Sequence, residues 1–201
     1  NNGSNSTHQL QLPDQSSGTL TKLMLPQMTI PASDYLFVLD VYRTSNYSNY
    51  TEEGVRVFLS TDGEIEGSTE LAFIPRVYSV ESGIIPAEAT AGWYTYKLPL
   101  GISGTYYIIL RGENKYGAPT YMDNFVVRQM EKYTVNISVT MTDEETPAPM
   151  GSVASSPVTL ANQYEDTPVS LTATANYGYH FTNWSESDVV LTTDNPYEFA
   201  L

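Results

Sequence analysis

The side chains with the clearest capacity to bind a ligand are loop tyrosines. Tyr47 and Tyr50 lie in TSNYSNYTEEG and Tyr116 lies in ENKYGAP, two polar segments whose Asn, Ser, Gly and Pro residues predict turns and loops. Binding function concentrates on loops that a rigid scaffold positions. We therefore predict these three tyrosines as contacts for a glycan or a protein. The alternative is that tyrosines, which number 16 in this chain, merely pack over the loops.

Trp93 and Trp184 also have the chemistry of a sugar-binding site, because an indole offers a large apolar face and one hydrogen-bond donor. They lie in the blocks GWYTYKL and GYHFTNW, which are rich in apolar and aromatic residues. This setting favours packing in the core over contact with a ligand.

Asp123 and Asn124, in YMDNFVV, supply the carboxylate and amide oxygens that Ca²⁺ binds in proteins. One interpretation is a structural calcium ion at these two residues. The other, which we favour, is a charge-assisted hydrogen bond between Asp123 and Arg111 on a neighbouring strand. Asp40, within an apolar strand, is either a similar hydrogen-bonding partner or a residue at a sheet edge.

No constellation of catalytic residues is visible in the sequence. The chain has no cysteine, and its only imidazoles are His8 and His180, neither of which has Ser and Asp partners at motif spacing. The G-x-S-x-G, H-E-x-x-H and P-loop motifs are absent. The acid clusters Glu52-Glu53 and 143–145 are predicted to be solvated loop charge and not the paired carboxylates of a glycosidase. We expect a protein that is not an enzyme.

The charge balance argues against nucleic acid as a partner. The chain has 9 Lys and Arg against 23 Asp and Glu, a formal net charge of −14, and the cations are scattered along the sequence. Binding a duplex requires a basic stripe that displaces counterions. No apolar run approaches the roughly 20 residues that span a bilayer, so no membrane insertion by this fragment is expected.

Composition and periodicity predict an all-β protein. Tyr, Thr and Val favour strands, and Gly and Pro favour the turns between them. Strands are predicted at 35–43, 55–60, 94–100, 105–112, 121–128, 133–142 and 168–175. The strand at 105–112 is predicted to form a hairpin with 94–100 across GISG and to pair with 121–128. The one helix-like fragment, TELAFIPRVY, contains a proline.

Four blocks of the N-terminal part resemble the jelly-roll modules of the MAM and gingipain-type cleaved adhesin class. They are LMLPQMTIPASDYLFVLDVYR, EGVRVFLSTDG, AGWYTYKLPL and GTYYIILRGENKYGAPTYMDNFVV. The resemblance implies a concanavalin-like jelly-roll β-sandwich over residues 1–130, lacking its first strands. It also implies calcium near the sheet edge, as in some members of this superfold.

The C-terminal part resembles a divergent internalin-type B repeat. Its signature is a Gly-x-Val start, then PVSLTATA, GYHFTNW and NPYEF. The resemblance implies a small β-grasp-like module over residues 131–201, truncated before its final strand and common in bacterial surface and secreted proteins.

These observations predict a non-catalytic adhesion or ligand-binding module of an exported bacterial protein, located outside the cell or on its surface. The ligand would be a carbohydrate or a protein. Two alternatives remain open. The fragment is an accessory part of a larger secreted peptidase or glycosidase, or it is a structural spacer.

Overall fold

The fold was determined from a computed structural model, which describes residues 9–12, 20–44, 52–78, 90–114, 119–140 and 150–201. Every regular element in these ranges is a β-strand, which confirms the predicted all-β class. The chain divides into two compact units, Asn1–Gln129 and Met130–Leu201, called here the N-terminal and C-terminal units.

The described strands of the N-terminal unit form two antiparallel sheets. They are β1 (Leu10–Leu12), β2 (Leu20–Met24), β3 (Met28–Ile30), β4 (Tyr35–Arg43), β5 (Gly54–Ser60), β6 (Thr69–Pro75), β7 (Gly92–Pro99), β8 (Gly104–Glu113) and β9 (Thr120–Gln129). Sheet I has the order β1-β9-β4-β7. Sheet II has the order β2-β8-β5-β6, and β3 also pairs with β8.

The two sheets share one apolar core, so the unit is a β-sandwich. Side chains alternate between the two faces of a strand, and Phe37, Leu39 and Val41 of β4 point into the core while the residues between them point outward. From sheet II, Val55, Val57 and Leu59 enter the same core, as their spacing predicts. The apolar face of each sheet is therefore buried by the other sheet.

Two predicted strand pairings are wrong. The β7 and β8 strands do not form a hairpin, because β7 pairs with β4 in sheet I and β8 pairs with β5, β2 and β3 in sheet II. The segment between them contains Gly101 at positive φ and carries the chain from one sheet to the other, and β8 begins at Gly104, also at positive φ. β9 returns to sheet I and pairs with β4 and β1, not with β8. The fragment TELAFIPRVY forms β6, not a helix.

A turn follows β5, as the residues Thr61-Asp62-Gly63 predict. The backbone N–H of Glu64 and the hydroxyl of Ser60 each donate a 2.9 Å hydrogen bond to Asp62 Oδ1. These hydrogen bonds lower the pKa of Asp62, because they stabilise its charged form. Gly63 follows at φ +85°, a conformation that glycine adopts without strain.

One predicted loop charge is buried. Glu52 is exposed, as expected, but Glu53 forms a buried ion pair with Arg76. Arg76 Nε and Nη2 donate to Glu53 Oε2 at 3.0 and 2.7 Å, and Nη1 donates to the Thr44 hydroxyl. The prediction of a solvated charge is therefore wrong for Glu53. Its counter-ion is Arg76, the residue that follows β6, and this guanidinium takes the place of water.

The C-terminal unit contains small sheets and little buried apolar area. Its described strands are β10 (Lys132–Tyr133), β11 (Gly151–Ser156), β12 (Gln163–Tyr164), β13 (Pro168–Ala175), β14 (Trp184–Glu186), β15 (Val189–Thr192) and β16 (Tyr197–Ala200). The central sheet has the order β11-β13-β16, and the other strands form two two-stranded sheets. Val169 and Leu171 are the buried apolar side chains among its described residues. The predicted strand over 133–142 is wrong for residues 134–140, which belong to no strand, and residues 141–142 lie outside the described part of the chain.

Local contacts explain two blocks of the C-terminal signature. A Cβ atom at Gly151 would lie 2.4 Å from the carbonyl oxygen of Thr174, so the pairing of β11 with β13 requires glycine there. The Asn195 amide donates to the Ala173 carbonyl and accepts from the Ala173 N–H. This side chain thereby continues the pairing of β16 with β13 to Ala173, two residues beyond Leu171.

Candidate functional site

The outer face of sheet I presents a row of aromatic side chains. Tyr42 of β4 pairs with Trp93 of β7, and the register of β4 with β9 places Tyr121 on its other side. We call Tyr42, Trp93 and Tyr121 the aromatic row. All three side chains are half-buried, and none belongs to the buried core.

The rings of the aromatic row contact each other edge to face. The centroids of Tyr42 and Trp93 are 5.6 Å apart with an interplanar angle of 65°, and those of Tyr42 and Tyr121 are 6.4 Å apart at 77°. Such contacts hold the rings in place beyond the effect of burial alone. The row is therefore a positioned surface on a rigid sheet.

A row of polar side chains lies next to the aromatic row, two residues along each strand. Asp40 pairs with Thr95 on one side and with Asp123 on the other. Asp40 is only 4% exposed although it lies on the outer face. The Thr95 hydroxyl donates to Asp40 Oδ1 at 2.6 Å, and Asn124 Nδ2 donates to Asp40 Oδ2 at 2.5 Å. We call Asp40, Thr95, Asp123 and Asn124 the polar row.

A β-bulge brings Asn124 into the polar row. The register between β4 and β9 shifts between Val38 and Asp40, so β9 carries one extra residue there. Asn124 has φ 53°, in the left-handed region that Asn tolerates better than most residues. Bulges re-aim side chains, and this one turns the Asn124 amide onto Asp40 while Phe125 packs against the core.

The structure places Asp123 and Arg111 apart, so the predicted hydrogen bond between them is wrong. Arg111 lies on β8 in sheet II, where its guanidinium contacts Glu113, and Asp123 lies on β9 in sheet I. Asp123 instead accepts a hydrogen bond from the backbone N–H of Asn124. The error follows from the wrong pairing of β8 with β9.

Calcium at Asp123 and Asn124 remains a prediction. Ca²⁺ takes six to eight oxygen ligands, and the described residues contain no group of three or more His, Asp or Glu side chains that could hold a metal ion. The hydrogen bonds to Asp40 already come from an amide and a hydroxyl. These residues by themselves do not complete a calcium site.

A thermal melt tests the calcium prediction. Binding to the folded state alone raises the melting midpoint through mass action. If Asp123 and Asn124 hold calcium, millimolar CaCl₂ is expected to raise the midpoint relative to a sample with chelator, and Asp123→Asn is expected to remove the difference. Equal midpoints with calcium and with chelator would rule out the site.

The outer face of sheet II has a different character. The register aligns Lys22, Arg111 and Arg56 across β2, β8 and β5, so three cations that are scattered in the sequence form one row. Acidic side chains neutralise this row: Lys22 contacts Glu64, and both arginines contact Glu113. Burial alone would lower the pKa of Arg56, but its contacts with Glu70 and Glu113 outweigh that effect and raise it.

Several predicted site residues lie outside the described part of the chain. These are Tyr47, Tyr50, Tyr116, His8 and the acids at 143–145. Their predicted roles are untested by the structure. His180 is described and exposed in the C-terminal unit.

The two tryptophans have different surroundings. Trp184 is half-buried in the C-terminal unit, 5.3 Å from Phe181 and 6.5 Å from Tyr197 between ring centroids, and its indole N–H donates to the Asp194 carbonyl. Trp93 does not join the core, contrary to the expectation, because its position on β7 is out of phase with the core residues Tyr96 and Leu98.

The sequence prediction missed Tyr42 and Tyr121 as site residues. A signal for Tyr42 was present, because the alternation in YLFVLDVYR places Asp40 and Tyr42 on the face opposite Leu39 and Val41. The pairing of Tyr42 with Tyr121 had no local signal, because it depends on which strands become neighbours.

The C-terminal unit has a broad groove of about 1190 Å³. Residues 133–140, the end of β13 and the aromatic side chains Phe181, Trp184, Tyr197 and Phe199 contribute to its lining. Nothing in the described residues indicates what occupies it.

Comparison with known proteins identifies one part of the chain. No curated protein and no solved structure matches the chain. The described residues contain no helix with the length and apolar character needed to cross a bilayer. The N-terminal unit lies outside the one region that matches a family model, and its likeness to MAM and cleaved adhesin modules stays a prediction. Residues 144–201 match the model of the divergent InlB B-repeat domain, so the predicted B repeat is confirmed there and suggests a module of a bacterial surface protein.

Proposed function

We propose that this chain is a non-catalytic adhesion module of a bacterial surface protein, and that the aromatic row binds a glycan. One observation carries the proposal: three half-buried rings stand in register across three strands, on the sheet face opposite the core. Aromatic faces pack against the apolar C–H faces of sugars, and the polar row beside them offers oxygen atoms to sugar hydroxyls.

The geometry of the polar row supports binding without catalysis. A glycosidase needs two carboxyl groups that face each other across the scissile bond. Asp40 is buried and its two oxygens accept hydrogen bonds from Thr95 and Asn124. That carboxylate is engaged by these two donors and orients its neighbours.

The location at the cell surface rests on the C-terminal unit. InlB B-repeat domains occur in bacterial surface proteins, and residues 144–201 match that model. The likeness of the N-terminal unit to jelly-roll adhesin modules, which is a prediction from the sequence, would fit the same location. An accessory role in a larger secreted peptidase or glycosidase is the alternative, and the sequence of the full-length parent protein would distinguish the two.

Removing a ring from the aromatic row is expected to weaken glycan binding by at least about 10-fold, because central aromatic contacts are typical binding hot spots. We expect this for Trp93→Ala and for Tyr121→Ala, measured by binding to a glycan array and by titration against each positive glycan. Phe73→Ala is the matched control, because Phe73 is also a half-buried aromatic residue, under Arg56 in sheet II.

The loop tyrosines supply a competing version of the site. A variant with Tyr47, Tyr50 and Tyr116 all replaced by alanine is expected to lose binding if those residues contact the ligand. Loss in this variant with full binding by Trp93→Ala would move the site from the aromatic row to the loops. An array without any positive glycan or matrix protein would favour a spacer.

A further inference from the structure

We propose that the aromatic row binds a single neutral glycan chain. Asp40 determines the preference for a neutral chain by accepting hydrogen bonds from the donors of the polar row, Thr95 and Asn124. The inference rests on the proposed function, because it names the chemical class of the ligand for the same face. Three properties of the face lead to it: the direction of its hydrogen bonds, the position of its charges and the angles between its rings.

The direction of the hydrogen bonds leaves mainly acceptors for a ligand. Thr95 has one hydroxyl hydrogen and donates it to Asp40, so its oxygen faces a ligand with lone pairs only. Asn124 donates one amide hydrogen to Asp40 and keeps its carbonyl oxygen and one N–H. The Asn124 side chain is exposed. Sugar hydroxyls donate hydrogen bonds and therefore complement this row, whereas carboxylate and sulfate groups have only acceptors.

Among the described residues, the charged groups nearest the aromatic row on the outer face of sheet I are negative. Asp40 and Asp123 lie two residues along their strands from the rings, about 7 Å. Lys97 is farther from the rings, four residues from Trp93 on β7, about 13 Å. Arg43 is adjacent to Tyr42, but its side chain is fully buried and donates to the Tyr96 hydroxyl and the Val77 carbonyl. The carboxylates of Asp40 and Asp123 therefore favour a neutral sugar over an anionic one at this face.

The ring angles favour one chain over a flat surface. Interplanar angles of 65° and 77° mean that the three rings do not lie in one plane. A crystalline polysaccharide cannot stack on all three at once. The row crosses three strands that are spaced about 4.8 Å apart, so a flexible glycan chain running across the strands can contact each ring in turn.

Matched pairs of polysaccharides test the preference. The full chain would be run in native gels that contain hydroxyethylcellulose or carboxymethylcellulose, and dextran or dextran sulfate, with xyloglucan and galactomannan as further neutral probes. We expect retardation by at least one neutral polymer, with an affinity at least about 10-fold higher than for its anionic counterpart. Binding should be the same at about 20 and about 500 mM NaCl, because no charge pairing contributes.

The possible failures are distinguishable. Retardation by carboxymethylcellulose or dextran sulfate that Trp93→Ala abolishes would overturn the neutral preference and leave the aromatic row as the binding site. Adsorption to microcrystalline cellulose that depends on Trp93 would overturn the single-chain interpretation. No retardation by any of the polymers would overturn this inference and the proposed function together.

Asp40→Asn tests the positioning role, because the new amide can donate where the carboxylate only accepts. We expect the affinity for the neutral polymer to fall about 10-fold. The ratio of the affinity for the neutral polymer to that for its anionic counterpart should also fall. A merely structural role would change the thermal midpoint without changing this ratio. If Asp40→Asn does not fold, Thr95→Val replaces it as the test, with Thr95→Ser as the conservative rescue. An unchanged affinity ratio in the folded variant would show that Asp40 does not determine the preference.

Discussion

Replacing Glu53 with glutamine is expected to lower the free energy of unfolding of the N-terminal unit by about 3–5 kcal/mol. The side chains of Glu53 and Arg76 are each 1% exposed, and Arg76 Nη2 lies 2.7 Å from Glu53 Oε2. Glutamine removes the negative charge and leaves the guanidinium buried without its counter-ion. The measurement is urea denaturation followed by Trp93 fluorescence in a Trp184→Phe background, because the chain has two tryptophans, one in each unit.

Glu70→Gln is the matched control for Glu53→Gln. Glu70 also pairs with an arginine at 2.7 Å, but its side chain is 41% exposed and that of Arg56 is 27% exposed. Solvent screens this pair, so we expect a loss below about 1 kcal/mol. Equal losses in the two variants would show that burial does not determine the contribution of these ion pairs.

Leu39→Ala is expected to lower the free energy of unfolding by about 2–5 kcal/mol. Leu39 is 0% exposed at the centre of β4 and belongs to the core that both sheets share. The truncation removes apolar contacts and leaves a cavity that the surrounding strands fill only in part. The same denaturation measurement follows the loss.

The control for Leu39→Ala is the same substitution at Leu20 of β2, which is 59% exposed. This change should alter the free energy of unfolding by less than about 0.5 kcal/mol. A small loss at Leu39, comparable with that at Leu20, would contradict a sandwich core on this face of β4. The Leu39 variant, when folded, should also bind the ligand of the aromatic row with unchanged affinity, because Leu39 lies on the opposite face from Tyr42.

Several of the long strands of both units could be predicted from local pattern. The structure has β4 at Tyr35–Arg43, as the apolar run in YLFVLDVYR predicts, and β13 at Pro168–Ala175, as PVSLTATA predicts. These segments carry their own signal, because the alternation of side chains has a period of two residues. The segment at 133–142 has the same alternation, but of its described residues, 133–140, only Tyr133 lies in a strand. Alternation predicts a strand only where a neighbouring backbone is available to pair with it.

Less of the candidate site could be predicted. Asp123 and Asn124 were identified by residue type, and both lie in the polar row, but their partner Asp40 is 84 residues from Asn124 in the sequence. Glu53 shows the same limit, because its charge is compensated by Arg76, 23 residues away. Sequence composition does not indicate which distant charge will be brought close.

By itself, the sequence determined the all-β class and the positions of β4, β5, β7, β8, β9 and β13, because these depend on side-chain pattern within each strand. It also determined the B-repeat signature, whose glycine and asparagine satisfy contacts within one small sheet. Only the tertiary structure decided that β8 and β9 belong to different sheets, and that Tyr42, Trp93 and Tyr121 form one row. Strand order and register are set by burying the apolar faces of the two sheets against each other. The free energy gained by this burial depends on the whole chain and on no single segment.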